Sequence, residues 1–283
     1  YDAAYTHWME ARRGATSARN YYRVAWRRMA ANTGERTLIS AVIPCGAAHV
    51  NPVYSGGFVD APVDDLIITG AFLSSLLADF AVRSTPKSEI LFSTIARMPL
   101  STNDHLRAAI ALRYLRLNCL TAAYANLWAT AYDEVFLADS WAKEPRRVDC
   151  HDISTVSPEW SPAIPLRIAL DRRQAMIEID ALVALSLGIS ADELVTVYRT
   201  QFPVLRGYDQ KSVVFDAHGR IAPVTVMTAI RKGGPGVPVE ERTCSHPGSG
   251  VTYIYEPPFS AADRATDLRE AYQEFDRRLN IDS

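Results

Sequence analysis

Lysine is scarce in this chain. Of 30 basic residues only Lys87, Lys143, Lys211 and Lys232 are lysine, so a run of arginines here is first a matter of composition and only second a sign of a polyanionic ligand. Paired cysteines are absent too. Cys45, Cys119, Cys150 and Cys244 are widely spaced with no C-x-x-C, which argues against a disulfide framework or a zinc ribbon. Cys150-His151 with Cys244 and His246 is the one four-ligand set to weigh, and adjacent ligands make an awkward tetrahedral bite. No apolar run approaches the roughly 18 residues of a membrane span, and no leader is visible, so a cytoplasmic chain without membrane contact is expected. A Gly-rich cofactor turn after a first strand is also missing. A start at Tyr1 without methionine is expected of a fragment.

What is present is an ordinary globular composition. With 283 residues, 48% hydrophobic and 22% charged, the chain has enough apolar material for one large domain or two small ones. The net charge of −2 argues against a uniformly basic nucleic-acid binder, yet residues 1–44 carry seven arginines against Asp2, Glu10 and Glu35. Such an uneven field is compatible with one DNA-facing side, because phosphate contacts are local. The densest part is residues 21–44, YYRVAWRRMAANTGERTLISAVIP. The β-branched run ending at Pro44 and the Asn32-Thr33-Gly34 break predict two strands and a hairpin. In such a hairpin guanidinium forks face phosphates or guanine edges. The competing reading is a solvated face of arginines whose stems lie on the protein surface.

The string Arg23-Val-Ala-Trp-Arg27-Arg28-Met-Ala, then Asn32, then Glu35-Arg36-Thr37 and the apolar run to Pro44, resembles the opening of the target recognition domain in large adenine-specific DNA methyltransferases. These include restriction-modification enzymes of types IIG, IIL and ISP and the methyltransferases of BREX and DISARM phage-defence systems. The resemblance continues through a leucine-rich helix, a lysine-containing turn at Ser84-Thr85-Pro86-Lys87-Ser88-Glu89 and a segment ending Met98-Pro99, although the turn lacks the family's usual glycine. It reaches on to Asp180-Ala-Leu-Val-Ala, Leu187-Gly188-Ile-Ser190 and Phe202-Pro203-Val204, and so covers most of residues 21–206. It implies sequence-specific recognition of double-stranded DNA for a methyltransferase core outside this chain, in the upstream part of the same polypeptide. S-adenosylmethionine is then the cofactor of the parent enzyme, and no catalytic, cofactor or metal residues are expected here.

Asn51-Pro52-Val53-Tyr54 invites comparison with the N-P-P-Y motif of those enzymes, in which Asn and a Pro carbonyl accept the target amino group and Tyr stacks on the flipped base. It follows the Glu35-Arg36-Thr37 turn, whereas the family places catalysis before recognition, so it is not read as catalytic. Periodicity predicts a helix over residues 64–82, a strand over 90–99, helices over 104–136, 165–187 and from Ser190, and a loop over 45–62. The tail reads as strands around an Asp216-Ala-His218-Gly219-Arg220 turn, a strand at 251–255 and a charged helix over 260–279. Asp216 and His218 lack any convergent nucleophile and are read as turn residues.

The expected fold class is α+β: a twisted, mostly antiparallel sheet with a packed helix, then a helical region, then a small strand and helix tail. The expected divisions are a connector helix over 1–20, a DNA target recognition domain over 21–100, a helical region over 101–206 and a tail over 207–283. The residues expected to contact DNA are Arg23, Arg27, Arg28, Asn32, Arg36 and Thr37, backed by Lys87, Ser88 and Arg97. The alternative is a protein-interaction module in which the helices at 104–136 and 165–200 dock a partner subunit. That reading calls for an exposed aromatic or leucine stripe on those helices.

Overall fold

A computed structural model describes residues 8–10, 14–58, 61–85, 87–100, 104–145, 147–210 and 214–281. The chain enters through a short antiparallel pair, β1 (Trp8–Glu10) with β2 (Gly14–Thr16), and a 3-10 turn at Ala18–Asn20. Where residues 1–20 are described, two short strands and this 3-10 turn stand in place of a connector helix, and Arg12 lies outside the described residues. A few periodic positions are too little to offset the cost of helix nucleation.

β3 (Arg23–Arg27) is the middle strand of an antiparallel sheet ordered β4-β3-β5, with β4 (Ser40–Ile43) and β5 (Val53–Gly56) on its two edges. The register sets Arg23 opposite Ile43, and Trp26 opposite Ser40 on one side and Tyr54 on the other. The hairpin expected over residues 21–44 is therefore present as the β3/β4 pair, but a long loop joins the strands instead of a tight turn at Asn32-Thr33-Gly34. β5 falls inside the stretch expected to be loop, where its glycines masked it. Gly56 has a packing role: a Cβ there would lie 2.8 Å from the Phe92 ring.

The single helix expected over 64–82 is two, α1 (Val63–Leu73) and α2 (Leu76–Arg83), bent by 64° at Ser74-Ser75. Ser75 takes an extended conformation and accepts a hydrogen bond from Ala78 N, so it starts a new helix where the periodicity ran on. The strand expected over 90–99 is a correction too. Only Glu89 bridges to Met29, and the chain then coils into a short helix, α3 (Phe92–Ile95).

The helical region is built on α4 (Asp104–Asn118), α5 (Ala125–Ala131), α6 (Ala169–Ser186), α7 (Ala191–Gln201) and α8 (Pro203–Gln210). Gly188 with φ of 68° ends the turn after α6, a left-handed position that glycine occupies without penalty. Ser190 and Glu193 then exchange side-chain and main-chain hydrogen bonds at the start of α7, satisfying two donors that a helix leaves orphaned.

In the tail, β6 (Val214–Phe215) leads through the Asp216 turn into a helix that the sequence did not announce, α9 (Val224–Gly233). β7 (Thr243–Ser245) pairs with β8 (Thr252–Ile254), and β9 (Ser260–Ala261) returns to β6. The last helix is α10 (Arg264–Ile281), which packs on α6 and α7.

The architecture is α+β. One core runs from Val24 through Leu76, Leu112 and Leu182 to Phe275, crossing the divisions drawn at 100 and 206, while Val214, Ala222, Val226 and Tyr255 form a small separate cluster. Among the described residues no single helix is long and apolar enough to cross a membrane.

Candidate nucleic-acid interface

The end of β3 at Arg27 is closed by three loops laced together through the main chain. Arg28 N donates to Pro52 O at 2.8 Å, Ala30 N to Ser88 O at 3.0 Å and Ile90 N to Arg28 O at 2.7 Å. Trp26 anchors the arrangement from below, its indole N–H donating to Ile90 O at 2.9 Å. These main-chain bonds tie the loops at this end to one another and to the end of β3, so the backbone that carries their side chains is placed in advance of any ligand.

Four of the nine residues proposed from sequence have inward roles here. Arg23 is 1% exposed and donates to Ala47 O at 2.6 Å and to Ser55 Oγ at 3.3 Å. Arg27 reaches back with one Nη2 to the carbonyls of Ala31, Arg36 and Thr37, stapling the β3/β4 loop to the strand. Arg36 donates from Nε to Asp79 and from Nη2 to Ser74 O. Thr37 has no exposure; its N–H donates to Asp79 and its hydroxyl to Asn32 Oδ1 at 2.8 Å. These are corrections to a picture of outward guanidinium forks. A central strand has no solvated edge, and a guanidinium in the core is retained only where carbonyls and carboxylates satisfy it.

The other five are at the surface. Asn32, Lys87, Ser88 and Arg97 are exposed. Arg28 is half-buried; it ion-pairs with Glu89 at 2.8 Å, donates to Asn51 Oδ1 and lies 5.2 Å over the Tyr54 ring. The hydrogen bond to Glu89 holds its guanidinium above the ordinary arginine range. The backbone contacts place Arg28, Lys87 and Ser88 on neighbouring loops, whereas Arg97 follows α3 further along. Glu89 offsets Arg28, so this end is polar and structured without being a strong positive patch.

Asn51 and Tyr54 serve Arg28 in place of a catalytic role: the first accepts its hydrogen bond and the second supplies the ring beneath it. Two residues that organise the region escaped the sequence reading. Asp79, fully buried, gathers Arg36, Arg83 and the Thr37 N–H. The signal for it was a lone acid in an apolar helical run, four residues before Arg83. Glu89, the partner of Arg28, had no distinguishing signal.

The helices offer little to the rival reading. Over the spans 104–136 and 165–200 the exposed large hydrophobic residues among the described residues are Leu120, Val135 and Met176, of which only Met176 stands on an α-helix. No protein-family model, curated protein or solved structure matches this chain.

Proposed function

We propose that the chain is the DNA-recognition part of an adenine-specific methyltransferase of the restriction-modification or phage-defence kind, working in the cytoplasm beside a methyltransferase core that lies outside it. The observation that carries the reading is the laced end of the sheet, where Arg28, Asn32, Lys87 and Ser88 stand on loops fixed by main-chain hydrogen bonds. Phosphate contacts by Lys87 and Arg97 position the duplex, while Arg28, on exchanging its bonds to Glu89 and Asn51 for base acceptors, and Asn32, through its side-chain amide N–H, read base edges. Arg23, Arg27, Arg36 and Thr37 contribute by stiffening this end.

The test is duplex binding followed by anisotropy over a range of salt concentrations. Two or three phosphate contacts give a slope of log K against log salt of about −2 to −3. Lys87→Ala is expected to lower affinity for all duplexes and to reduce that slope by about one. A folded chain that binds no duplex at low salt, or whose affinity and slope ignore Lys87→Ala and Arg97→Ala together, removes this end as the interface.

A further inference from the structure

Beneath the β4 edge, away from the laced loops, lies a cavity of about 340 Å3, within the size range of small-molecule sites. Leu38, Val42, Leu117, Met176 and Ile179 give it an apolar lining, and Ser40 and Ser74, whose hydroxyls meet at 3.3 Å, add a polar edge. Its charged lining residues are both cations, Arg36 and Arg172.

Arg36 is neutralised by Asp79. Arg172 is not: it donates to the carbonyls of Leu117 and Leu166, and no carboxylate pairs with it among the described residues. Arg167 is similarly bonded to the carbonyls of Pro162 and Leu120. Burial, and then the Arg167 charge, push the Arg172 guanidinium below its ordinary range, the mark of a partly desolvated cation without a counter-ion. Tyr114 also lines the cavity, and its buried hydroxyl packs against Gly70 of α1.

We propose that this cavity binds a small organic anion, a carboxylate or phosphate ester on a flat apolar body, with the anionic group on Arg172 and the body against Leu38, Val42, Met176 and Ile179. The site is separate from the laced loops and stands whether or not the chain binds DNA.

The experiment is a titration of the whole chain with benzoate, phenyl phosphate, inorganic phosphate and benzyl alcohol, followed by methionine-methyl NMR and calorimetry. Benzoate or phenyl phosphate is expected to move the Met176 methyl signal saturably and to leave that of Met227, on α9, in place; which of the two binds more tightly tells carboxylate from phosphate. Inorganic phosphate and benzyl alcohol are expected to bind at least tenfold more weakly, since each lacks half of the match. Arg172→Gln is expected to lose at least tenfold, and Met176→Trp, which fills the space, to abolish binding. No saturable Met176 shift with either aromatic anion at millimolar concentration overturns the proposal, as does equal affinity for inorganic phosphate and phenyl phosphate. If Arg172→Gln does not fold, Met176→Trp decides alone: unchanged binding overturns the site.

Discussion

Arg36 and Asp79 meet at 2.8 Å across 43 residues of sequence. The same carboxylate accepts from Arg83 Nε at 3.0 Å and from Thr37 N at 3.0 Å. One acid on α2 thereby turns the Glu35-Arg36-Thr37 stretch, whose resemblance suggested an outward tip, into an internal tie between the β3/β4 loop and the helices.

Replacing Asp79 by alanine leaves two arginines and a main-chain N–H without their acceptor in a buried setting. Breaking such a buried pair typically costs about 3–5 kcal/mol, and a loss of this size is expected in urea unfolding. A loss under about 1 kcal/mol contradicts the tie.

Gly70→Ala has a sign that packing and propensity dispute. Alanine in a helix interior is ordinarily favoured over glycine by roughly 1 kcal/mol. Here its Cβ would stand 2.2 Å from the Tyr114 hydroxyl oxygen and 2.4 Å from the adjacent ring carbon, so α1 and α4 must part. A net loss of about 1–3 kcal/mol is expected, with partial recovery in the double variant carrying Tyr114→Ala. A rise in the melting temperature of Gly70→Ala alone refutes the close approach.

Asp180 gives a pH dependence. Burial pushes its carboxyl up to about 6, while it accepts from Leu76 N at 2.7 Å. The unfolded value is about 3.9, so the folded chain holds the extra proton between the two. The stabilisation is complete below about pH 4 and is lost as the pH rises through about 6. Asp180→Asn keeps an acceptor for Leu76 and does not titrate. Its stability is therefore expected to match wild type near pH 4 and to exceed it at pH 7.5, by on the order of 3 kcal/mol. Parallel curves for the two proteins across that window count against the assignment.

Alanine at Arg23, Arg27 and Arg36 is expected to act through folding. Each loses carbonyl or carboxylate partners in the interior, so unfolding midpoints fall before any duplex is added. Arg28→Ala, by contrast, is expected to keep the fold and to relax preference at one base position at a cost of roughly 1–3 kcal/mol on the cognate site. Binding across single-base variants of a site separates the two behaviours.

Calorimetry with S-adenosylmethionine is expected to show no heat of binding to this chain alone, and incubation with DNA no methyl transfer. Micromolar affinity for the cofactor contradicts a recognition-only role.

Much of the architecture was legible because it rests on local rules. The β3/β4 pair, the helix ended at Gly188, the helix begun at Ser190 and the charged last helix all follow from periodicity, turn residues and caps. Boundaries set by tertiary contact were not legible. The break at Ser74-Ser75, the coil of Phe92–Ile95 and the pairing of β5 with β3 depend on neighbours far away in sequence. The site was the harder half. An arginine in an aromatic strand reads the same whether its guanidinium meets solvent or a buried carbonyl, and Arg23 and Arg28, five residues apart, take those opposite paths.

Phe202 lies with the Arg83 guanidinium 4.3 Å above its ring and that of Arg36 at 5.9 Å, and is itself fully enclosed. A residue at the junction of α7 and α8 is therefore a wall of the compartment that seats the β3/β4 loop. The packing of the β3/β4 loop is not portable as residues 21–100 alone. A chimaera exchanging only that span would pair an arginine tie from one parent with an aromatic wall from another, and the graft needs its own α7 and α8 to keep the loop in register.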